Sequence, residues 1–169
     1  MLFQSCGILD TGATKSVVGS KLLPSLIENL PAEIQKQLFR TNCDITFRFG
    51  NQGTLDSQQA LVIPLQSLGL GLKIAIVKGE TPLLLSNTLI RTLKASIDTE
   101  RQVLSSPLLT HDVHLKLSPK GLYMLDVKDL VMSQHGQFKR VGSAVAETFV
   151  SVSPTSKKEE APESSEIEA

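Results

Sequence analysis

Cys6-Gly7-Ile8-Leu9-Asp10-Thr11-Gly12-Ala13-Thr14-Lys15-Ser16-Val17-Val18-Gly19 is the stretch on which the reading of this chain turns. Ile8 and Leu9 predict a buried strand that ends in an acid, a hydroxyl and a glycine. Gly12 permits a tight turn, and Ser16 to Gly19 predicts a second strand leaving on the other side. A carboxylate therefore sits where a buried strand turns. The triplet Asp10-Thr11-Gly12 carries little by itself, since average residue usage yields it by chance in roughly 3% of chains this long. Its apolar flanks give it weight. A plain structural role for Asp10, as an Asx-turn residue or a helix cap, stands beside a chemical one.

Working outward, 169 residues with 41% hydrophobic content allow one domain with one core. The tail from 151 to 169, SVSPTSKKEEAPESSEIEA, lacks aromatic residues and is rich in Ser, Pro and Glu. Such a composition cannot offset the entropy of ordering, so the tail is predicted to be disordered. Removing its two Lys and five Glu from 17 residues of each sign leaves 15 basic against 12 acidic. The remainder is only mildly basic and has no basic run with interleaved aromatics, so nucleic acid is not an expected partner. Cys6 and Cys43 lack paired spacing and predict free, buried or semi-buried thiols in a reducing compartment. No secretory leader is read at the start. The most apolar stretch, 60 to 77, is interrupted by Pro64, Gln66, two glycines and Lys73, so no membrane span is expected. These features together predict an intracellular, cytoplasmic protein.

Between Ser20 and Phe39, Leu and Ile recur at three-to-four-residue spacing, which predicts two short helices. Pro31 suits the first turn of the second, with Glu33 near its positive end. From Thr41 the pattern reverts to strands. Ile45, Phe47 and Phe49 alternate with Thr46 and Arg48, and Gly50-Asn51-Gln52-Gly53 predicts the turn of a hairpin. Strands follow at 60–65 and 72–77, separated by a glycine-containing loop. Pro82 to Ser86 predicts an apolar strand, with Asn87 as N-cap of a helix over about 87–95. Residues 96–104 and 113–117 alternate again, and Ser118 to Gly121 turns into a last strand at 122–127. The predicted domain spans 1–130, followed by a weakly structured linker at 131–150 and the tail at 151–169.

A strand ending in Asp10-Thr11-Gly12-Ala13, a glycine-tipped hairpin and an apolar strand feeding a short helix resemble the retroviral-type aspartic proteases. The resemblance runs from about Gly7 to Ala95. Within that family the chain is most similar to the protease region of copia-type retrotransposon polyproteins, on Ile8 to Gly19, Phe47 to Asn51, Thr81 to Ser86 and Gly121-Leu122-Tyr123. It implies a mainly β fold, a retropepsin-like acid protease barrel with a short helical insertion at about 20–39. It also implies an endopeptidase that works in polyprotein processing, as a homodimer without metal or other cofactor. By the same resemblance Asp10, Thr11 and Gly12 are catalytic, Thr11 bonding across the two-fold axis. Ala13, the tip residues Gly50, Asn51, Gln52 and Gly53, and Leu84 and Leu85 would bind an extended peptide. Ser86 stands where the family has glycine. Only nine residues precede Asp10, fewer than the family carries, so an N-terminally truncated domain is expected.

The chemistry constrains this further. Peptide hydrolysis needs a general base for water and a general acid for the carbonyl oxygen, which one Asp per chain does not supply. Two copies of Asp10 must meet and share one proton, because two carboxylates a few Å apart cannot both ionise, as in the paired carboxyls of aspartic proteases generally. Ala13 offers no hydroxyl to such a pair, so a less acidic pH optimum than in pepsin-like enzymes is expected; an Ala13→Ser pH–rate profile shifted to lower pH is the check. Competing readings remain for other residues. The 50–53 tip is equally an ordinary surface hairpin, and a non-catalytic dimerisation or peptide-binding module is the alternative for the whole chain. His111 and His114 lack the company of a metal cluster. Asp44, Asp98 and Glu100 read as solvated charges, and Ser5 and Ser16 lack a base at a recognisable spacing.

Overall fold

A computed structural model describes residues 4–50, 53–134, 149–151 and 164–168. The Asp10 segment forms β1 (Cys6–Asp10) and β2 (Ser16–Gly19). All of β2 is buried, because it lies inside the sheet and sends Val17 to one face and Val18 to the other. Helices α1 (Leu23–Glu28) and α2 (Ala32–Gln35) follow. Pro31 occupies the N-cap of α2 at φ −55° and ψ 143°, one residue before the first turn. Its extended ψ separates the two helices.

β3 (Phe39–Arg48) and β4 (Thr54–Leu65) form the hairpin, with a bulge in the ladder between Asn42 and Ile45. The return arm and the strand expected at 60–65 are one twelve-residue strand. β3 is long enough to partner it from Thr54 to Val62, so the polar stretch at 54–59 stays extended. A 3₁₀ turn at Gln66–Leu68 ends at Gly69, whose φ of 66° suits glycine, and leads into β5 (Leu70–Val77). Then come β6 (Leu84–Ser86), α3 (Asn87–Thr92), β7 (Ser96–Asp98), β8 (Val103–Ser105), β9 (Val113–Leu117), β10 (Tyr123–Asp126) and α4 (Val127–Met132). Two short strands, β11 (Phe149–Ser151) and β12 (Ser164–Glu168), complete the described backbone.

The fold is mainly β: one mixed sheet in the order β12-β3-β4-β5-β2-β6-β1-β10-β9-β8-β7, with β11 beside β5. The pairs β1–β6, β2–β5 and β3–β12 are parallel. Two apolar cores flank the central strands. Along β5, Leu70, Leu72 and Ile74 face the larger, with Leu26 of α1 and Leu89 of α3, while Ala75 and Val77 face the smaller, with Val17, Ile45 and Phe47.

On the C-terminal side, α4 continues past Leu130 to Met132, and Thr110 donates to the Ser133 carbonyl from its N at 2.8 Å and its Oγ1 at 2.7 Å. Gln134 Oε1 accepts from the N and Oγ of Ser67 at 3.2 and 2.7 Å. The helix is only six residues long and leaves little periodic signal in the sequence; Asp126 caps it, accepting from Lys128 N at 3.0 Å. From the 151–169 segment, Ser151 lies in β11 and Ser164–Glu168 forms β12 in the sheet. Composition weighs side-chain burial, whereas an open strand edge offers backbone hydrogen bonds that need no apolar side chain. Residues 135–148 of the expected linker and 152–163 of the tail lie outside the described residues.

Candidate active site

The Asp10 loop is built around an inserted strand. β6 lies between β1 and β2, parallel to the first, in register Ile8↔Leu84, Leu9↔Leu85 and Asp10↔Ser86, and antiparallel to the second through Val17↔Leu84. Ile8 N donates to the Leu83 carbonyl at 2.8 Å. Close approach depends on glycine at two points. A Cβ on Gly7 would stand 2.7 Å from Leu85 Cγ, and one on Gly19 would stand 2.5 Å from the Gly79 carbonyl oxygen and Thr81 N.

Within the loop, Ala13 N donates to the Asp10 carbonyl at 3.1 Å and Gly12 N to Asp10 Oδ1 at 3.0 Å. The second bond is an Asx turn, so Asp10 does fill that structural role; it also orients the carboxylate. Asp10 is half-buried, Thr11 and Gly12 are exposed at the tip, and Ala13 is buried. From the other side, Asn87 N donates to the Ala13 carbonyl at 2.8 Å and Thr88 Oγ1 to the Thr14 carbonyl at 2.7 Å. Ser86 N donates to Ser16 Oγ at 3.1 Å. The loop is thus tied at three positions to the start of α3.

Ser86 explains its own departure from glycine. It is fully buried, and its Oγ accepts from Leu89 N at 3.2 Å, so Ser86 and not Asn87 is the N-cap of α3. With ψ at 160° it is extended, which aims the hydroxyl at the third residue of the helix. Ser16 and Thr88 were not expected in the site. The signal was a hydroxyl six residues after Asp10 and another just inside a helix that packs on the loop.

Leu84 and Leu85 part company. Leu84 is half-buried against the smaller core, while Leu85 is fully buried in the larger one and has no surface to offer a peptide. Its role is to support β1 from behind. At the hairpin tip, Phe49 N donates to the Gly53 carbonyl at 2.9 Å. Gly50 and Gly53 are exposed, and a Cβ on Gly50 would meet nothing within 4 Å; Asn51 and Gln52 lie outside the described residues. Phe47 is fully buried beside Val17, and its ring stacks on Phe49 with centroids 6.4 Å apart. The hairpin is thereby seated on β2, the strand that leaves the Asp10 loop.

Other charged and nucleophilic groups are arranged differently. Lys15, in the loop, and Lys73 are buried and both bear on the Cys43 thiol, which burial nevertheless pushes up. Burial, reinforced by Asp126, raises the Cys6 thiol to about 11; both cysteines are free. Ser105 Oγ donates to Asp112 at 2.8 Å and Arg101 pairs with it at 3.0 Å, which hold that carboxyl below its usual value. Asp98 accepts from Arg101 N at 2.9 Å, and Asp44 and Glu100 are exposed. His111 Nδ1 bonds to Thr110 Oγ1 at 2.8 Å. Among the described residues, no three His, Cys, Asp or Glu side chains group to hold a metal ion, and no helix is long and apolar enough to cross a membrane. No family model matches the chain, and no curated protein or solved structure matches it.

Proposed function

We propose that this chain is an aspartic endopeptidase of the retropepsin type, with a retropepsin-like acid protease barrel, active as a homodimer. The observation that carries the proposal is Asp10 at the end of β1, in register with Ser86, in a loop braced by an inserted strand and the start of a helix. A carboxylate fixed in this way does not wander, which is what positioned acid–base chemistry requires. The exposed Thr11-Gly12 tip supports a second copy approaching there.

In the dimer, one Asp10 carries the shared proton and the other is charged. The charged carboxylate takes a proton from water as its oxygen attacks the peptide carbonyl, while the protonated one donates to the carbonyl oxygen. The resulting gem-diol collapses: one of its hydroxyls returns a proton to the charged carboxylate, the C–N bond breaks, and the nitrogen leaves with the proton of the other carboxyl, which restores the singly protonated pair. Gly12 keeps the loop slim beside the carboxylate. An extended peptide, such as a segment of a polyprotein, lies under the 50–53 tip, which closes over it. Half-buried Leu84 borders that space.

Incubating the chain and its Asp10→Asn variant with a peptide library, while measuring sedimentation mass, tests the proposal. Cleavage by the dimeric parent and none by the variant is expected. Cleavage that persists in Asp10→Asn refutes the mechanism, and a dimer that cleaves nothing turns the reading to a binding module.

A further inference from the structure

The hairpin divides at its bulge. On the near side, β4 is backed by β5 from Gln59 to Leu65. On the far side, Ile45–Arg48 pairs with Thr54–Ser57, beyond the reach of the β5 ladder. Isolated two-stranded ribbons are marginal in water, and an open edge is a template for another strand. β12 pairs in parallel along that far half, from Ser164↔Asp44 to Glu168↔Arg48. It makes the half nearest the tip three-stranded.

The segment reads Ser164-Ser165-Glu166-Ile167-Glu168, and its acids stand in register with Thr46 and Arg48, while Asp44 is in register with a serine. No acid is in register with an acid across this ladder. Being part of the same chain, the segment needs little intrinsic affinity, since tethering supplies an effective concentration on the order of millimolar.

We propose that residues 44–48 are a strand-accepting edge for an extended acidic segment, and that the chain's own 164–168 fills it as a clamp on the hairpin tip. The clamp rests on the sheet alone; its consequence for activity rests on the protease reading above. With β12 in place, the tip is held by a third strand, and opening over a peptide requires that strand to detach. A chain that loses the segment opens more readily.

Amide hydrogen exchange tests this without reference to activity. The full chain is compared with one lacking 164–169 and with a full-length Glu166→Pro/Ile167→Pro variant, which cannot complete the ladder. Exchange at 44–48 is expected to quicken roughly tenfold or more in both, with 70–77 unchanged as the internal reference. Equal exchange at 44–48 in all three chains overturns the clamp, as does loss of protection throughout 70–77. Cleavage measured on the same chains separates the two proposals. Quickened exchange with no cleavage by any chain keeps the clamp and refutes the protease reading; slower cleavage by the shortened chain overturns the inhibitory role.

Discussion

Ser86 is where a single residue does two tasks at the site: its amide ties the Asp10 loop through Ser16, and its hydroxyl caps α3. Replacing it by alanine or glycine keeps the amide bond and orphans a buried N–H, so each is expected to lower stability by about 1–2 kcal/mol. Chemical denaturation checks this, and stability unchanged in both variants contradicts the cap. Cys6 bears on stability in alkali. Its thiol keeps a proton in the fold up to about 11, whereas an unperturbed thiol loses it near 9.0. The folded state therefore binds more protons in that window, and stability falls as pH rises from about 9 to 11. Cys6→Ala should flatten that slope in denaturation midpoints measured across it. At this scale the sequence was informative about Asp10 and silent about Ser86, because a cap is defined by the chain's direction into the helix, which neighbouring Asn87 offered equally well.

Among the elements, the junction of β2 with the 79–81 turn is the tightest. Gly19 N donates to the Thr81 carbonyl at 2.8 Å, and an added Cβ would meet backbone atoms that cannot rotate away. Gly19→Ala is expected to cost about 2–3 kcal/mol, as overpacking does. Gly7→Ala should cost less, because its clashes are with Leu83 and Leu85 side chains. Thermal unfolding of both variants checks the order, and the reverse order contradicts it. Strands β1, β2 and β3 were legible from alternation and apolar runs, as were the helices at 23–28 and 32–35. α4 was not, since six residues give less than two turns of periodicity. Nor was the unity of β4, whose polar first half resembles a loop until β3 partners it.

For the whole molecule, the decisive arrangement is β6 between β1 and β2, which brings residues about 75 positions apart into register at Asp10 and Ser86. Local pattern does not encode such a parallel crossover, which joins strands far apart in the chain. The edges of the sheet were equally hidden, because β12 is held through its backbone and its composition reads as a solvated tail. The central claim is that the active unit needs one Asp10 from each of two chains. Mixing parent and Asp10→Asn chains at constant total concentration, with time to exchange subunits, measures it directly. If each site draws a carboxylate from both chains, activity follows the square of the parent fraction, falling to about a quarter in an equal mixture. Activity that falls in simple proportion to the parent fraction contradicts the account.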